Sequence, residues 1–235
     1  MDADHLSERL ATVAGYVPTG SRLADIGTDH AYLPVNLAKR GVIISGVAGE
    51  VVRGPFENAR HEIDREGLSD QITARLANGL KAIEPGDQID TVVIAGMGGA
   101  LITQILTQDF GRLEGVNRLV LQPNVGEMNV RQFLMDHGFS LVAEQILAED
   151  GHTYEILVAD RQPVVHPYTA DELRFGPFLL AEHNPIFIEK WRHELARSQA
   201  VLKQVRSAAV VPVDKVAALE QAIAEIEEVL HRVSA

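Results

Sequence analysis

Residues 24–34 read ADIGTDHAYLP, which sets a carboxylate and an imidazole, Asp29 and His30, just beyond a loop glycine, Gly27. The stretch opens like the first strand and loop of a nucleotide-binding fold, with Asp25 and then Gly27. Such a loop ordinarily continues with glycine, so that the backbone can close around a cofactor. Thr28, Asp29 and His30 stand there instead. A bulky charged pair in that loop costs conformational freedom and desolvation, which points to chemistry. The alternative is that Thr28 or Asp29 caps the helix that follows.

Other stretches end apolar runs in the same way. Glu50 closes the run 43–49, and a carboxylate there can accept both ribose hydroxyls of an adenosine; otherwise it is a solvated loop acid. Asn78, before Gly79, offers a donor and an acceptor to an adenine edge, or is an ordinary turn residue. In AGMGG (95–99), Ala95 leads into Gly96, Gly98 and Gly99, which remove side chains so that a flat base can approach, with Met97 as an apolar wall. A helix-start glycine turn is the other meaning of that run. Gln122, Pro123 and Asn124 end the next run, two uncharged hydrogen-bonding groups around a residue suited to a turn. The nine histidines are scattered with no H-E-x-x-H spacing, so no metal site is expected. There is no Walker or G-x-S-x-G sequence, and the first loop fails the G-x-G-x-x-G pattern of a nicotinamide enzyme.

The elements that must position these residues alternate. Apolar runs at 22–27, 43–49, 72–78, 90–99 and 118–124 read as strands, separated by amphipathic helices. Residues 140–160 read as two strands joined at EDGH, a hairpin that makes the last strand antiparallel. This is an α/β parallel sheet covered on both faces. A Pro-rich linker follows at 163–168, then helical stretches at about 170–183, 185–208 and 214–233. Ile188, Trp191, Leu195, Leu202 and Val205, with Ser198 in one slot, step by threes and fours, as do Val216, Leu219, Ile223, Ile226, Leu230 and Val233. Joined by the short AVVPV segment, they predict an antiparallel coiled-coil hairpin. Two domains are expected, 1–162 and 163–235.

Composition bounds the rest. With 235 residues, 46% hydrophobic, there is enough chain for one good core and an appendage. There is no cysteine, hence no disulfide framework and no thiol nucleophile. No apolar run approaches the roughly 20 residues of a membrane span, so a soluble, cytoplasmic protein is expected. The net charge of −12 argues against indiscriminate nucleic-acid binding, but residues 161–213 carry +2 within an otherwise acidic chain.

ADIGTDHAYLP, GVAGEVVRGPF, IAGMGGALI, RLVLQPN and EDGHTYEILVA, in this order, resemble the bacterial tRNA adenine-N1 methyltransferases that modify adenine 22. The resemblance covers the N-terminal domain almost end to end, and includes LSERLATVAGYVP (6–18) as the first helix. It implies a Rossmann-like class I methyltransferase sheet of seven strands, the last antiparallel, with S-adenosyl-L-methionine as cofactor and tRNA as partner. It implies cofactor contacts from Asp25, Gly27, Thr28, Asp29, His30, Glu50, Asn78, Gly79, Ala95, Gly96 and Met97. Asp29, His30 and Tyr32 become the catalytic candidates: Asp29 for the cofactor ammonium or the base's amino group, His30 for orientation, Tyr32 for stacking or for packing. The base and the RNA around it would meet Gly98, Gly99, Gln122, Pro123, Asn124 and Arg9, and Lys190, Arg192, Arg197 and Lys203 of the helical domain. The family's acidic residue after strand three is Asn78 here, whose side-chain oxygen accepts the same hydrogen bond without charge. A monomer is expected, because the short connector favours pairing of the two helices within one chain. A methyltransferase of a small-molecule acceptor and a non-catalytic RNA-binding protein are the rival readings.

Overall fold

The computed structural model describes residues 2–207 and 212–233. The chain divides into two compact units, one ending at Tyr168 and the other beginning at Thr169. The first is a seven-stranded sheet of β1 (Ser21–Ile26), β2 (Ile43–Glu50), β3 (Ile72–Leu76), β4 (Thr91–Met97), β5 (Arg118–Pro123), β6 (Phe139–Glu149) and β7 (His152–Arg161). Their order is β3-β2-β1-β4-β5-β7-β6. β1 to β5 run parallel, and β7 lies antiparallel to both β5 and β6. The reversal of order between β1 and β4 opens the crevice in which such sheets bind ligands.

Helices α1 (Glu8–Gly15), α2 (Tyr32–Lys39) and α3 (Arg53–Arg65) enclose one apolar core with one face of the sheet, around Val13, Leu23, Leu37, Ile63 and Val93. α4 (Gly99–Gln108) and α5 (Glu127–Asp136) enclose the other with Ile94, Ile102, Leu121 and Leu134. Because both faces are covered, β1 is buried almost without alternation, as a central parallel strand must be. The β6–β7 hairpin closes through Asp150 and Gly151 at φ +50° and +75°, the two positive-φ positions that an Asp-Gly turn supplies.

Several expected boundaries move. β3 ends at Leu76, so Asn78 stands two residues beyond the strand. The first helix is α1, shorter than 6–18. Tyr168 packs on the core beneath α4 and α5, and its hydroxyl accepts from the Leu141 amide at 3.0 Å, which carries the segment 163–168 into the first unit. The division therefore falls after Tyr168 rather than after residue 162.

The second unit holds α6 (Ala170–Phe175), α7 (Pro177–Glu182), α8 (Pro185–Arg206) and α9 (Val213–Val233). Gly176, at φ +90°, ends α6, and Pro177 opens α7, so the first helical stretch is two. α8 and α9 pair antiparallel: Gln199 bonds Glu227 at 3.3 Å, and seven residues later Arg206 bonds Glu220, seven residues earlier. Phe187, Trp191 and Ser198 are buried on α8, and Ile226, Val229, Leu230 and Val233 on α9. The remaining expected seam positions are half-buried. Phe187 and Val229, outside the expected seams, are buried, and Trp191 is covered by Phe175 of α6 at 4.4 Å between ring centres. Most of the AVVPV connector lies outside the described residues. No described helix is long and apolar enough to cross a membrane.

Candidate active site

The site is built from the ends of β1, β2 and β4. β1 delivers Asp25 into the interior, 5% exposed, where it accepts the Thr28 hydroxyl at 2.5 Å. Gly27 then turns at φ +76°, and a β-carbon there would stand 2.0 Å from the Met97 methyl. Asp29 and Ala31 also have positive φ, +54° and +57°. For Ala31, which is fully buried, this is stored strain of about 1–3 kcal/mol, the kind that collects where a loop is shaped for a ligand. Ala31 is the N-cap of α2, with no side-chain cap, so neither Thr28 nor Asp29 performs that role.

β2 delivers Glu50. Its Oε1 accepts the amides of Val51 and Val52 at 2.8 and 3.0 Å, and its Oε2 accepts only a long 3.4 Å bond from the Asp29 amide. One oxygen thus organises the loop while the other keeps acceptor capacity. Burial lifts the Asp25 carboxyl from 3.8 to about 6, opposed by the Thr28 hydroxyl and reinforced by the negative charge of Glu50.

The raised value carries a stability signature. The folded state holds its proton more tightly than the unfolded chain, so this contribution is complete below about pH 4 and is lost as pH rises through 6. At about 1.4 kcal/mol per unit the loss is on the order of 3 kcal/mol. The difference in unfolding free energy between wild type and Asp25→Asn, followed by urea titration, is expected to change in that sense between pH 4 and 7. A constant difference across the window would contradict the assignment.

β4 ends in a bulge. Ala95 pairs with Gln122 and Met97 with Pro123, leaving Gly96 unpaired at φ +79°. Gln122 is wholly buried and holds this turn. Its Oε1 accepts the Gly96 amide at 3.0 Å and Arg9 Nη1 at 2.6 Å, while its Nε2 donates to the Pro123 carbonyl and to Asn124 Oδ1. Asn124 donates in turn to the Gly96 carbonyl at 2.8 Å. Arg9 arrives on α1, whose first amide is capped by Glu149 from the end of β6, at 2.5 Å. The Arg9 guanidinium lies 5.4 Å from the centre of the Tyr154 ring.

These groups surround a cavity of about 400 Å3. It is lined by Asp25, Gly27, Thr28, Asp29, His30, Glu50, Asn78, Gly79, Ala95, Gly96 and Met97, and also by Arg9 and Tyr32. His30 and Tyr32 stack at 5.1 Å with their planes 9° apart, and His30 Nε2 lies 3.7 Å from Asp29 Oδ1. Gly98, Gly99, Gln122, Pro123 and Asn124 do not line the cavity. Gln122 and Pro123 are buried behind it, and a β-carbon on Gly99 would stand 2.2 Å from the Gly126 carbonyl oxygen, so that glycine serves the close approach of α4 to the start of α5. Sequence reasoning missed Leu101 and Ile105, one turn apart on α4, which form part of the cavity wall. Their spacing directly after the glycine turn was the available signal.

The basic residues of α8 do not make one stripe. At about 100° per residue, Arg192 and Lys203 fall about 20° apart, whereas Arg197 lies about 140° from Arg192. Arg197 is 79% exposed beside Glu194, and Lys190 lies over the Trp191 ring at 5.4 Å. Among the described residues, no group of three or more potential ligands could hold a metal ion.

A seven-stranded sheet with its seventh strand reversed, and a crevice that pairs a strand-end carboxylate with a glycine-cradled loop, define the Rossmann-like class I methyltransferase fold. Residues 23–228 match the model of the tRNA (adenine(22)-N(1))-methyltransferase family. The chain is 41% identical over 208 residues to the Bacillus subtilis tRNA (adenine(22)-N(1))-methyltransferase, covering 87% of each. It superposes with TM-score 0.88 on a Streptococcus pneumoniae protein described as a putative tRNA (m1A22) methyltransferase in complex with S-adenosyl-L-methionine, at 44% identity over 97% of this chain and 100% of that one. A Mycoplasma capricolum relative in complex with S-adenosyl-homocysteine aligns with TM-score 0.87 at 26% identity, over 97% and 99% of the two chains. The chain belongs to the tRNA (adenine(22)-N(1))-methyltransferase family.

The residues present fit the cofactor. The turn at Gly27 lets the Met97 methyl lie against the loop as an apolar wall where a β-carbon would clash, Glu50 Oε2 keeps room for a hydroxyl donor, and the cavity volume lies in the range of small-molecule sites.

Proposed function

We propose that this protein transfers a methyl group from S-adenosylmethionine to N1 of adenine 22 in tRNA, with the cavity between β1, β2 and β4 as the reaction site. The observation that carries the reading is the convergence there of Asp25, Glu50 and the Gly27 turn, in a chain whose family carries that activity.

Bound there, the cofactor supplies a positively charged sulfonium methyl as the electrophile. Asp25 holds the ammonium of its methionine part, Glu50 Oε2 accepts from the ribose, and the Asn78 oxygen accepts from the adenine amino group. Met97 forms the apolar wall. N1 of the target adenine already carries a lone pair, so no strong base is needed to make the nucleophile, and orientation with local electrostatics supplies the rate. The methylated ring is cationic. Asp29, with a side chain 67% exposed at the cavity, accepts from the amino group of that ring and stabilises its charge. His30 steadies Asp29, and its stack on Tyr32 keeps both rings in place. Arg9 and Gln122 hold the Gly96 bulge and act as positioning residues. Base edges inside folded RNA are stacked or paired, so the adenine must be turned out at a cost of a few kcal/mol, which backbone contacts elsewhere offset. Arg192 and Lys203 of α8, with Lys190 and Arg197 on its other flank, are the groups assigned to those contacts. The protein works in the cytoplasm as a monomer.

The experiment is methyl transfer from labelled cofactor to unmodified tRNA, beside the same tRNA with guanine at position 22. Transfer to the first alone, mapped as N1-methyladenine, is expected; transfer to neither, or to both equally, contradicts the reading. In the same assay Asp29→Asn is expected to lower kcat by about 10- to 100-fold with little change in cofactor affinity. Wild-type turnover by that variant would remove the charge argument.

A further inference from the structure

Two of the three glycines in AGMGG are explained by the fold itself. Gly96 occupies the bulge at φ +79°, and Gly99 lets the chain before α5 approach α4. Gly98 is the N-cap of α4, a position glycine shares with Ser, Thr, Asn and Asp, so the lack of a side chain is not forced in this way. Its φ of −71° and ψ of 144° suit any residue, and a β-carbon there would meet within 4 Å only Val125 Cγ2, at an unstrained 3.9 Å.

Beside this glycine lie two aliphatic side chains left in solvent, Leu101 at 47% and Val125 at 67% exposure. Backbone hydrogen bonds fix them around it. The Gly99 amide donates to the Val125 carbonyl at 2.7 Å, and the Leu101 amide donates to the Gly98 carbonyl at 2.9 Å. Leu101 also lines the cofactor cavity, so the patch is continuous with the reaction site. Other exposed apolar side chains, Val51, Val52, Leu76 and Met128, stand at the same strand-end edge. Such an apolar surface at the mouth of the cavity marks a place where something with an apolar face comes to rest. A phosphate would ask for a cation or an array of donors. A nucleobase asks for apolar faces to lie between.

We propose that Gly98, Leu101 and Val125 form the seat of the turned-out adenine, with the bare backbone of Gly98 under the ring and the two aliphatic side chains beside it. The inference rests on the tRNA-methylating function and extends it by naming the residues that hold the base. Gly98 keeps the approach of the ring free of a side chain larger than a methyl group.

The test compares wild type with Gly98→Ala, Gly98→Leu and Val125→Asp. It reads kcat/KM for tRNA, the dissociation constant of S-adenosylmethionine by calorimetry, and the emission of a tRNA bearing 2-aminopurine at position 22. Gly98→Leu and Val125→Asp are expected to lower kcat/KM by more than about tenfold, and Gly98→Ala by less, with cofactor affinity unchanged. The rise in emission when wild type unstacks the base should be reduced in the same order. Values of kcat/KM within threefold of wild type in Gly98→Leu and Val125→Asp overturn the seat. So does an equal loss of cofactor affinity, which would assign these residues to the cofactor cavity. If wild type itself methylates no adenine 22, the function beneath the seat falls instead, and the wild-type lane alone reports that.

Discussion

Glu50→Ala is expected to weaken S-adenosylmethionine binding by about 100- to 1000-fold, equivalent to about 3–4 kcal/mol. The size follows from two tasks carried by one carboxylate. Oε1 accepts the amides of Val51 and Val52, and with the 3.4 Å bond from the Asp29 amide to Oε2 the side chain ties the loop after β2 to the loop after β1. Oε2 is the acceptor left for the ribose, and a charge-assisted hydrogen bond in a half-closed cavity contributes about twice what a neutral one does. Alanine removes both tasks and leaves the part-buried Val51 and Val52 amides without their side-chain acceptor. Glu50→Gln keeps one acceptor oxygen and the shape but loses the charge, so a loss of about tenfold is expected for it. Calorimetric titration of the cofactor is the measurement, with tRNA binding as the control that the fold survives. Cofactor affinity within threefold of wild type in Glu50→Ala would contradict the ribose assignment.

The place of Glu50 at the cavity is legible in the sequence because it follows from a local rule. An apolar run predicts the strand, the alternation predicts a parallel sheet, and the sheet places strand ends at the ligand edge. The same logic located Asp25, Asn78 and Gly96 at the end of β4, all of which line the cavity. Gln122 shows where the logic stops. Read alone it is a polar residue at a strand end, open to a ligand. In the fold it is wholly buried, because Arg9, 113 residues earlier in the chain, reaches across to it. Arg9 gets there because Glu149 caps α1 from the far hairpin. No window of sequence contains such a contact. Ala31 is a second example. Nothing in an alanine announces a positive φ, and only the closure of the Thr28–Ala31 loop imposes it. The placement of the basic residues of α8 is hidden for another reason. Counting charge along the chain ignores the angle between side chains, and the helix spreads those four over more than one face.

Arg131→Met is expected to destabilise the first unit by about 3–5 kcal/mol, the largest effect on folding foreseen for a single substitution in this protein. Arg131 leaves α5 and meets Glu144 of β6 at 2.6 Å and Glu155 of β7 at 2.5 Å, and all three side chains are at most 1% exposed. Burial works against the charge of Arg131, yet the two carboxylates overcome it and hold the guanidinium above its ordinary value. Sequence reading treats an arginine on an amphipathic helix as solvated. Here it is the largest wholly buried side chain, joining the helix to the antiparallel hairpin that completes the sheet. Methionine fills much of its volume but takes the cation away from two interior carboxylates, and that loss accounts for most of the effect. The sign of the pH dependence separates this cause from poor packing. Carboxylates stripped of their cation take up protons more readily in the folded state, so the deficit of Arg131→Met relative to wild type should shrink as pH is lowered from 8 toward 5. A packing defect would stay constant. Replacing Glu144 and Glu155 with glutamine in the same variant should recover part of the loss at pH 8. Urea midpoints for the three proteins at both pH values decide it. The consequence reaches the active site, because β6 ends in Glu149, which caps the helix carrying Arg9 to the Gly96 bulge. Arg131 thus anchors the hairpin whose end, through Glu149 and Arg9, reaches the Gly96 bulge at the cavity.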